Sequence, residues 1–319
     1  MTIGDHLHDL YRLPAHTFPG PAAKSAVLPE ADAVAWRVTS DVYDADEDWT
    51  AAFARFCDTV DTTRVRALIV GAWQEAYDTD PGSVVEALVA ARDRFPALRA
   101  LFIGDMVSEE CEISWINQSD VTPLLGAYPA LEELGVRGGS GLRFPAVRHA
   151  ALRWLVIEAG GLPAEVVRGV GASDLPALEL LELWLGTPDY GGDSEVSDLE
   201  PLLSGARLPR LRHLGLRNSE MQDAVATAVA AAPVVARLEV LDLSLGILTD
   251  DGAAALLAGQ PLTHLKHLDL RHNYLSEPVQ ERIRQTVETA GVRVDLDHEG
   301  ADQDEDDDGT VWRYVAVGE

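Results

Sequence analysis

Cysteine is nearly absent: the 319 residues contain two, Cys57 and Cys111, far apart and outside any CxxC spacing. That excludes a disulfide framework as the source of stability, argues against a zinc site and suits a reducing compartment. Basic residues are scarce as well, with 25 Lys and Arg against 53 Asp and Glu and a formal net charge of −28. Polyanions would be repelled, so neither nucleic acid nor an anionic membrane is expected as a partner. A protein partner, if there is one, should be basic. Long apolar runs are missing: no stretch approaches the about 18 uninterrupted apolar residues of a membrane span. The opening MTIGDHLHDLYRLPAH lacks a basic segment followed by an apolar one. No secretory signal is therefore expected, and the chain reads as cytoplasmic.

Catalytic fingerprints are the last absence. No GxSxG, HExxH, phosphate-loop or dinucleotide-binding pattern occurs. The nearest glycine cluster, RGGSG from Arg137, follows a strand but lacks the Lys-Ser/Thr of a phosphate loop. The expectation is a protein that is not an enzyme and needs neither cofactor nor metal. His6, His8 and His16 have no partnering cluster, so solvation or capping accounts for them.

What the chain does have is 47% apolar residues, ample for a core, and an internal repeat. The pattern L-x-x-L-x-L returns as LRALFI from Leu98, LEELGV from Leu131, LRWLVI from Leu152 and LELLEL from Leu178. It continues as LRHLGL from Leu211, LEVLDL from Leu238 and LKHLDL from Leu265, with a weaker VRALIV from Val65. Trp36 with Val38, and Val294 with Leu296, mark degenerate copies at the two ends. The longer units carry their surplus after the strand, as in GAWQEAYDTDPG, GDMVSEECEISWINQSD and GTPDYGGDSEVSD. Surplus confined to one edge is what a stacked repeat tolerates. Each strand is followed by an apolar-periodic run such as SVVEALVAARDRFP or DDGAAALLAGQP, with Ser83, Ser119, Ser197 or Asp250 placed to cap a helix.

These units resemble the leucine-rich repeats, nearest in length to the ribonuclease-inhibitor-like subgroup. LKHLDLRHNYL matches the L-x-x-L-x-L-x-x-N-x-L consensus throughout, with Asn273 in the asparagine position. Ser219, Gly246, Gly160 and Gly186 stand where the other copies should carry Asn, so the asparagine ladder should be incomplete. The opening DHLHDLYRLP, the loop LWLGTPDYGGD and the ending VWRYVAV resemble, more narrowly, a group of bacterial cytoplasmic leucine-rich-repeat proteins. No activity comes with that resemblance; it implies a scaffold or recognition subunit. The expected fold is an α/β leucine-rich-repeat horseshoe, with a parallel sheet on the concave face and helices on the convex face. Residues 1–30 would form an N-terminal segment or cap, 31–297 the solenoid, 298–309 an acidic linker and 310–319 a C-terminal strand or cap.

Stacking would set the third, fifth and seventh positions of each unit in columns across the concave face. An apolar zone of Ile69, Phe102, Trp154, Val156, Leu180 and Trp184 should adjoin a charged zone of His213, Arg217, Asp242, His267, Asp269 and Arg271. Aromatic and Arg side chains carry much of the binding energy at protein interfaces. Phe102, Trp154, Trp184, Arg217, Asp242, Asp269 and Arg271 are therefore the candidate partner-binding residues. The competing reading is that a terminal segment or a long loop covers the apolar zone. For the charged columns, mutual neutralisation is the simpler account. His213 and His267, with Val240 between them, make a poor metal pair.

Three further stretches carry alternatives. DYGGD places Asp189, Tyr190 and Asp193 on a long loop. With Glu158, Glu182 and Arg137 this would give an enzyme, or an enzyme accessory subunit, a ligand site near residues 186–196. DEDDDG, residues 304–309, has half of a calcium-loop pattern but Val315 at the twelfth position, so a solvated tether is the simpler reading. The alternating TVWRYVAV after it should be a strand that either returns to the solenoid edge or docks on a partner.

Overall fold

Alternate residues of an extended strand face opposite ways, so the leucines at positions one, four and six turn to one side and seal against helices. A computed structural model describes residues 5–23, 27–43, 46–301, 303–306 and 308–318 of the chain. Twelve strands form one sheet in chain order. They are β1 (Asp9–Leu10), β2 (Leu13–Thr17), β3 (Ala35–Val38), β4 (Ala67–Val70), β5 (Ala100–Ile103) and β6 (Glu133–Arg137). There follow β7 (Trp154–Glu158), β8 (Leu180–Gly186), β9 (His213–Ser219), β10 (Val240–Asp242), β11 (His267–Asp269) and β12 (Arg293–Asp295). Every neighbouring pair is parallel except the hairpin of β1 and β2.

From β3 on, helices return the chain from one strand to the next, except between β6 and β7. They are α1 (Trp49–Thr59), α2 (Gly82–Ala90), α3 (Thr122–Ala127), α4 (Ala164–Ala172), α5 (Glu200–Ser204), α6 (Gln222–Ala230), α7 (Asp250–Ala258) and α8 (Glu277–Thr286). The result is an α/β solenoid with its parallel sheet on the inner face and its helices outside. Both degenerate copies are real turns, supplying β3 and β12. Among the described residues no helix is long and apolar enough to cross a membrane.

Leu211, Leu214 and Leu216 are fully buried, and Leu238, Leu241 and Leu243 nearly so, which is the inward set the repeat requires. Helix capping departs from the expectation at Ser83, Ser119 and Ser197. Carboxylates do that work instead: Asp48 accepts the Ala51 amide at α1, Asp80 the Gly82 amide at α2 and Asp120 the Thr122 amide at α3. At α7 the cap is Thr249, one residue before Asp250. Asn273 fills its turn as the consensus requires, accepting from the Leu248 amide and donating to the Leu243 and Leu270 carbonyls.

Both ends of the chain fold over the sheet. Tyr11 and Arg12, at φ 56° and 58°, turn β1 back against β2, and residues before them cross the concave face. Leu7 there buries itself with Ala35, Ala67, Ile69, Ala100 and Phe102. The Phe102 ring lies over Gly135, where a Cβ would come within 2.2 Å of it, so only glycine in β6 admits the ring. At the other end, β13 (Gln303–Glu305) and β14 (Val311–Arg313) pair with each other. The expected pairing of Val311–Arg313 with the solenoid's edge strand is thus corrected. The residues after it do return to the solenoid, where the Ala316 amide donates to the Leu245 carbonyl. The strand pairs with the acidic run, which is not a bare tether: Trp312 Nε1 donates to Asp306 and Tyr314 Oη to Asp304. Asp302 and Asp307 of that run lie outside the described residues.

Phe102→Ala should cost about 3–5 kcal/mol, the usual loss for a buried Phe. It should also open residues 5–12 to protease. Chemical denaturation and limited proteolysis check this, and an unchanged midpoint with a protected N-terminal segment would contradict the packing described.

Candidate functional site

The strand register sets the columns. Ala67, Ala100, Glu133, Trp154, Leu180, His213, Val240 and His267 stand opposite one another in turn. So do Ile69, Phe102, Gly135, Val156, Glu182, Gly215, Asp242 and Asp269, and β12 adds Asp295 beside Asp269.

The two termini decide which of these side chains meet solvent. Phe102 is 2% exposed under the N-terminal segment, and Trp184 is 4% exposed, packed with Leu245 and Val317 of the C-terminal tail. The expectation that these two anchor a partner on an open face is therefore corrected for both. Trp154 is 38% exposed and remains on the surface. The tail is held by side chains facing it. Asn218 accepts from the Val317 amide and donates to the Val317 carbonyl at 2.6 Å, Ser114 donates to the Gly318 carbonyl, and Tyr274 Oη donates to the Tyr314 carbonyl.

Between the two covers runs a groove of about 440 Å³. Leu10 and Tyr11 form one wall, Trp154, Val156 and Leu180 the apolar floor, and Glu182, His213, Arg217, Asp242, His267, Asp269 and Arg271 the charged floor. Ile69 and Trp184, expected on the open apolar face, do not line the groove. The competing reading of a covering terminal segment is the one the structure follows, though nothing in DHLHDLYRLP says that Leu10 and Tyr11 form the wall. Extending the fifth column into the degenerate last copy would have found Asp295.

Charge in the groove is not evenly compensated. Arg217 is 5% exposed, stacked over the Trp184 ring at 5.2 Å, and lies 3.1 Å from Glu182 and 3.2 Å from Asp242. His213 Nε2 stands 2.9 Å from the other Glu182 oxygen. Burial alone would raise the Glu182 carboxyl, but His213 and Arg217 together lower it to about 2. One strand further on the balance reverses. Burial, and then the Asp242 carboxylate, push the Asp269 carboxyl up to about 6, with Arg271 Nε at 3.5 Å giving partial relief. Burial also raises Glu133, whose carboxylate takes the Tyr11 amide. His267 is lowered, first by burial and then by Arg293.

A second charged cluster lies under the N-terminal segment. Asp105 is fully buried, takes Arg37 at 2.6 Å and the Leu7 amide at 2.9 Å, and has Arg137 at 3.7 Å. Arg137 pairs in turn with Glu158 at 2.8 Å, both less than a tenth exposed. Glu158 and Arg137 thus belong to the clamp that holds the terminus. None of Asp189, Tyr190 and Asp193 lines the groove. Asp193 accepts the Ala164 amide and so caps α4. The DYGGD loop adjoins a separate cavity of about 160 Å³ lined by Gly186, Pro188, Ser194 and Glu220 among others.

No family model matches the sequence, and no curated protein matches it. A crystal structure of a Bacteroides fragilis protein, solved in a structural genomics programme, matches with a TM-score of 0.74 and 30% identity. The match covers 84% of this chain and 72% of that one. The two belong to one family. The likeness carries the fold across most of the solenoid and brings no activity with it.

Two outcomes test the site. Glu182→Gln should cost up to about 3 kcal/mol at pH 7, the worth of lowering a carboxyl from 4.5 to about 2. A depressed folded-state value means the stabilisation is full above pH 4.5 and lost as pH falls towards 2. Denaturation of both proteins across that range should therefore show the gap close on acidification. Asn218→Ala should release residues 314–318 and expose Trp184, seen as a red shift in tryptophan emission and cleavage of the tail.

Proposed function

We propose that the chain is a leucine-rich-repeat recognition scaffold, acting in the cytoplasm, that holds a basic segment of a protein partner in the concave groove. The observation that carries this is Trp154, left 38% exposed on the floor of the groove while Phe102 and Trp184 are covered by the chain's own ends. An exposed indole face beside carboxylates attracts cationic side chains. Five carboxylates line the groove, Asp9, Glu133, Glu182, Asp242 and Asp269, against the three guanidiniums of Arg12, Arg217 and Arg271. Arg217 is already engaged by two of those carboxylates, so the surplus is acidic, in keeping with a chain of net charge −28. Glu133, whose carboxyl burial raises, stands directly opposite Trp154 on the neighbouring strand and would gain most from an incoming cation.

Asp242, Asp269 and Arg271 then fix register, with the exposed Arg271 free to turn aside or to take an acidic group flanking the basic one. Arg217 acts from beneath, holding Glu182 and Asp242 in place.

Fluorescently labelled basic, neutral and acidic peptides of matched length make the test. The basic set should bind, weaken as salt is raised, and lose at least about tenfold in affinity on Trp154→Ala, a loss of the size expected for an interface hot spot. Equal binding of acidic and basic peptides, or an affinity indifferent to Trp154→Ala, would overturn the proposal.

A further inference from the structure

Two groups of three metal-ligating side chains lie side by side on the concave sheet. One ligand atom from each of Glu182, His213 and Asp242 falls within 4.8 Å of the others, and the same holds for His267, Asp269 and Asp295. The two are not equivalent. The first already contains a cation, the buried Arg217 guanidinium at 3.1 and 3.2 Å from its two carboxylates. A metal ion there would have to share the site with a fixed positive charge. The second has no such occupant: Arg271 reaches Asp269 only at 3.5 Å on a side chain 37% exposed, and Arg293, opposite His267, is exposed on the outermost strand. Both can swing into solvent.

We infer that His267, Asp269 and Asp295 form a site for a divalent transition-metal ion of the zinc class. Parallel pairing explains the placement. His267 and Asp269 lie two apart on β11 and so face the same way, and the register sets Asp295 of β12 directly beside Asp269. Ligands around a zinc-sized ion stand roughly 3.4 Å apart, from metal–ligand bonds of about 2.1 Å in a tetrahedron. A starting separation within 4.8 Å is closed by small side-chain rotations. His267 Nε2 is buried without a hydrogen-bond partner among the described residues, so one ring nitrogen has no protein contact to give up.

One imidazole with two carboxylates selects zinc, manganese or cobalt over magnesium and calcium, which prefer oxygen alone. Three protein ligands leave at least one coordination position for solvent or an incoming group, and His267 and Asp269 both line the groove. Asp269 and Asp295 each give one carboxylate oxygen to a backbone amide, of Arg271 and Asp297, and keep the other. The acidic run at residues 304–308 is a weaker candidate because it offers no imidazole. This inference stands apart from the peptide reading, because it concerns the ion alone.

The test is calorimetric titration of the metal-free full chain with Zn²⁺, and with Mg²⁺ for comparison. One Zn²⁺ per chain should bind, with Mg²⁺ far weaker. His267→Gln and Asp295→Asn should each weaken Zn²⁺ by at least about tenfold, the lower end of the loss seen when even outer-shell partners of a metal are removed. Asp304→Asn, in the acidic run, should leave the zinc affinity unchanged. Asp295 lies half-buried on the edge strand, so its variant is expected to fold, and circular dichroism confirms that for all three. No zinc binding to the wild type, or binding undiminished in both His267→Gln and Asp295→Asn, would overturn the assignment.

Discussion

Parallel register is the constraint on which everything else in this molecule rests. Once neighbouring strands are about 4.8 Å apart with like positions abreast, each side chain on the inner face has fixed neighbours from the turns before and after it. Leucines at the inward positions can then share one continuous core. The outward positions have no such freedom to be uniform, because equal charges abreast would repel. Over most of the sheet the chain meets that limit by varying the outward residues from turn to turn; at Asp242, Asp269 and Asp295, which stand abreast, it does not. Gly135 makes room for Phe102, Gly215 sits beside Glu182, and Arg217 is set between two carboxylates.

Charge compensation along the sheet is local and therefore uneven. At Asp105 two buried guanidiniums and a backbone amide surround one carboxylate, and the N-terminal segment is tied down as a result. At Glu182 the same device keeps a carboxylate ionised well below its usual range. At Asp269 it runs short, since Asp242 and Asp295 flank it and Arg271 stands farther off. A surface that is neutral at one turn and short of positive charge three turns later is suited to taking up a cation from outside. A buried ion pair contributes little net stability, so specificity is the better account of why such groups are on the sheet at all.

The termini convert an open face into a groove. Tyr11 and Arg12 bend the chain so that Leu7, Leu10 and Tyr11 reach the inner face, and the tail residues Ala316 and Val317 seal Trp184. Apolar surface that would otherwise be exposed is buried, and what is left uncovered is selective: a single exposed Trp on the inner face, and acidic groups. A solenoid needs its end turns covered because each turn buries its core only against neighbours. Here the covering segments extend inward from the ends and so shape the groove too.

The repeat spacing determined the elements, the register and the column membership, because a period-two strand and a recurring leucine triad leave few other arrangements. Trp154 opposite Leu180, and Asp242 opposite Asp269, follow from counting alone. The degenerate copy at Val294 held the means to place Asp295 as well, beside Asp269, though the column as read from the repeats ends at Asp269. The sequence could not say which outward residues would stay in solvent, since exposure of Phe102 and Trp184 depends on segments about a hundred residues distant. Helix starts were misjudged at Ser83 and Ser119 for a local reason: Ser83 falls inside α2, whose Gly82 amide goes to Asp80, and the Thr122 amide at α3 goes to Asp120. Nor could the sequence tell a buried charge from a half-exposed one, because Arg217 and Arg271 occupy the same position of their repeats. Tertiary packing alone buries one guanidinium between two acids and leaves the other half in water.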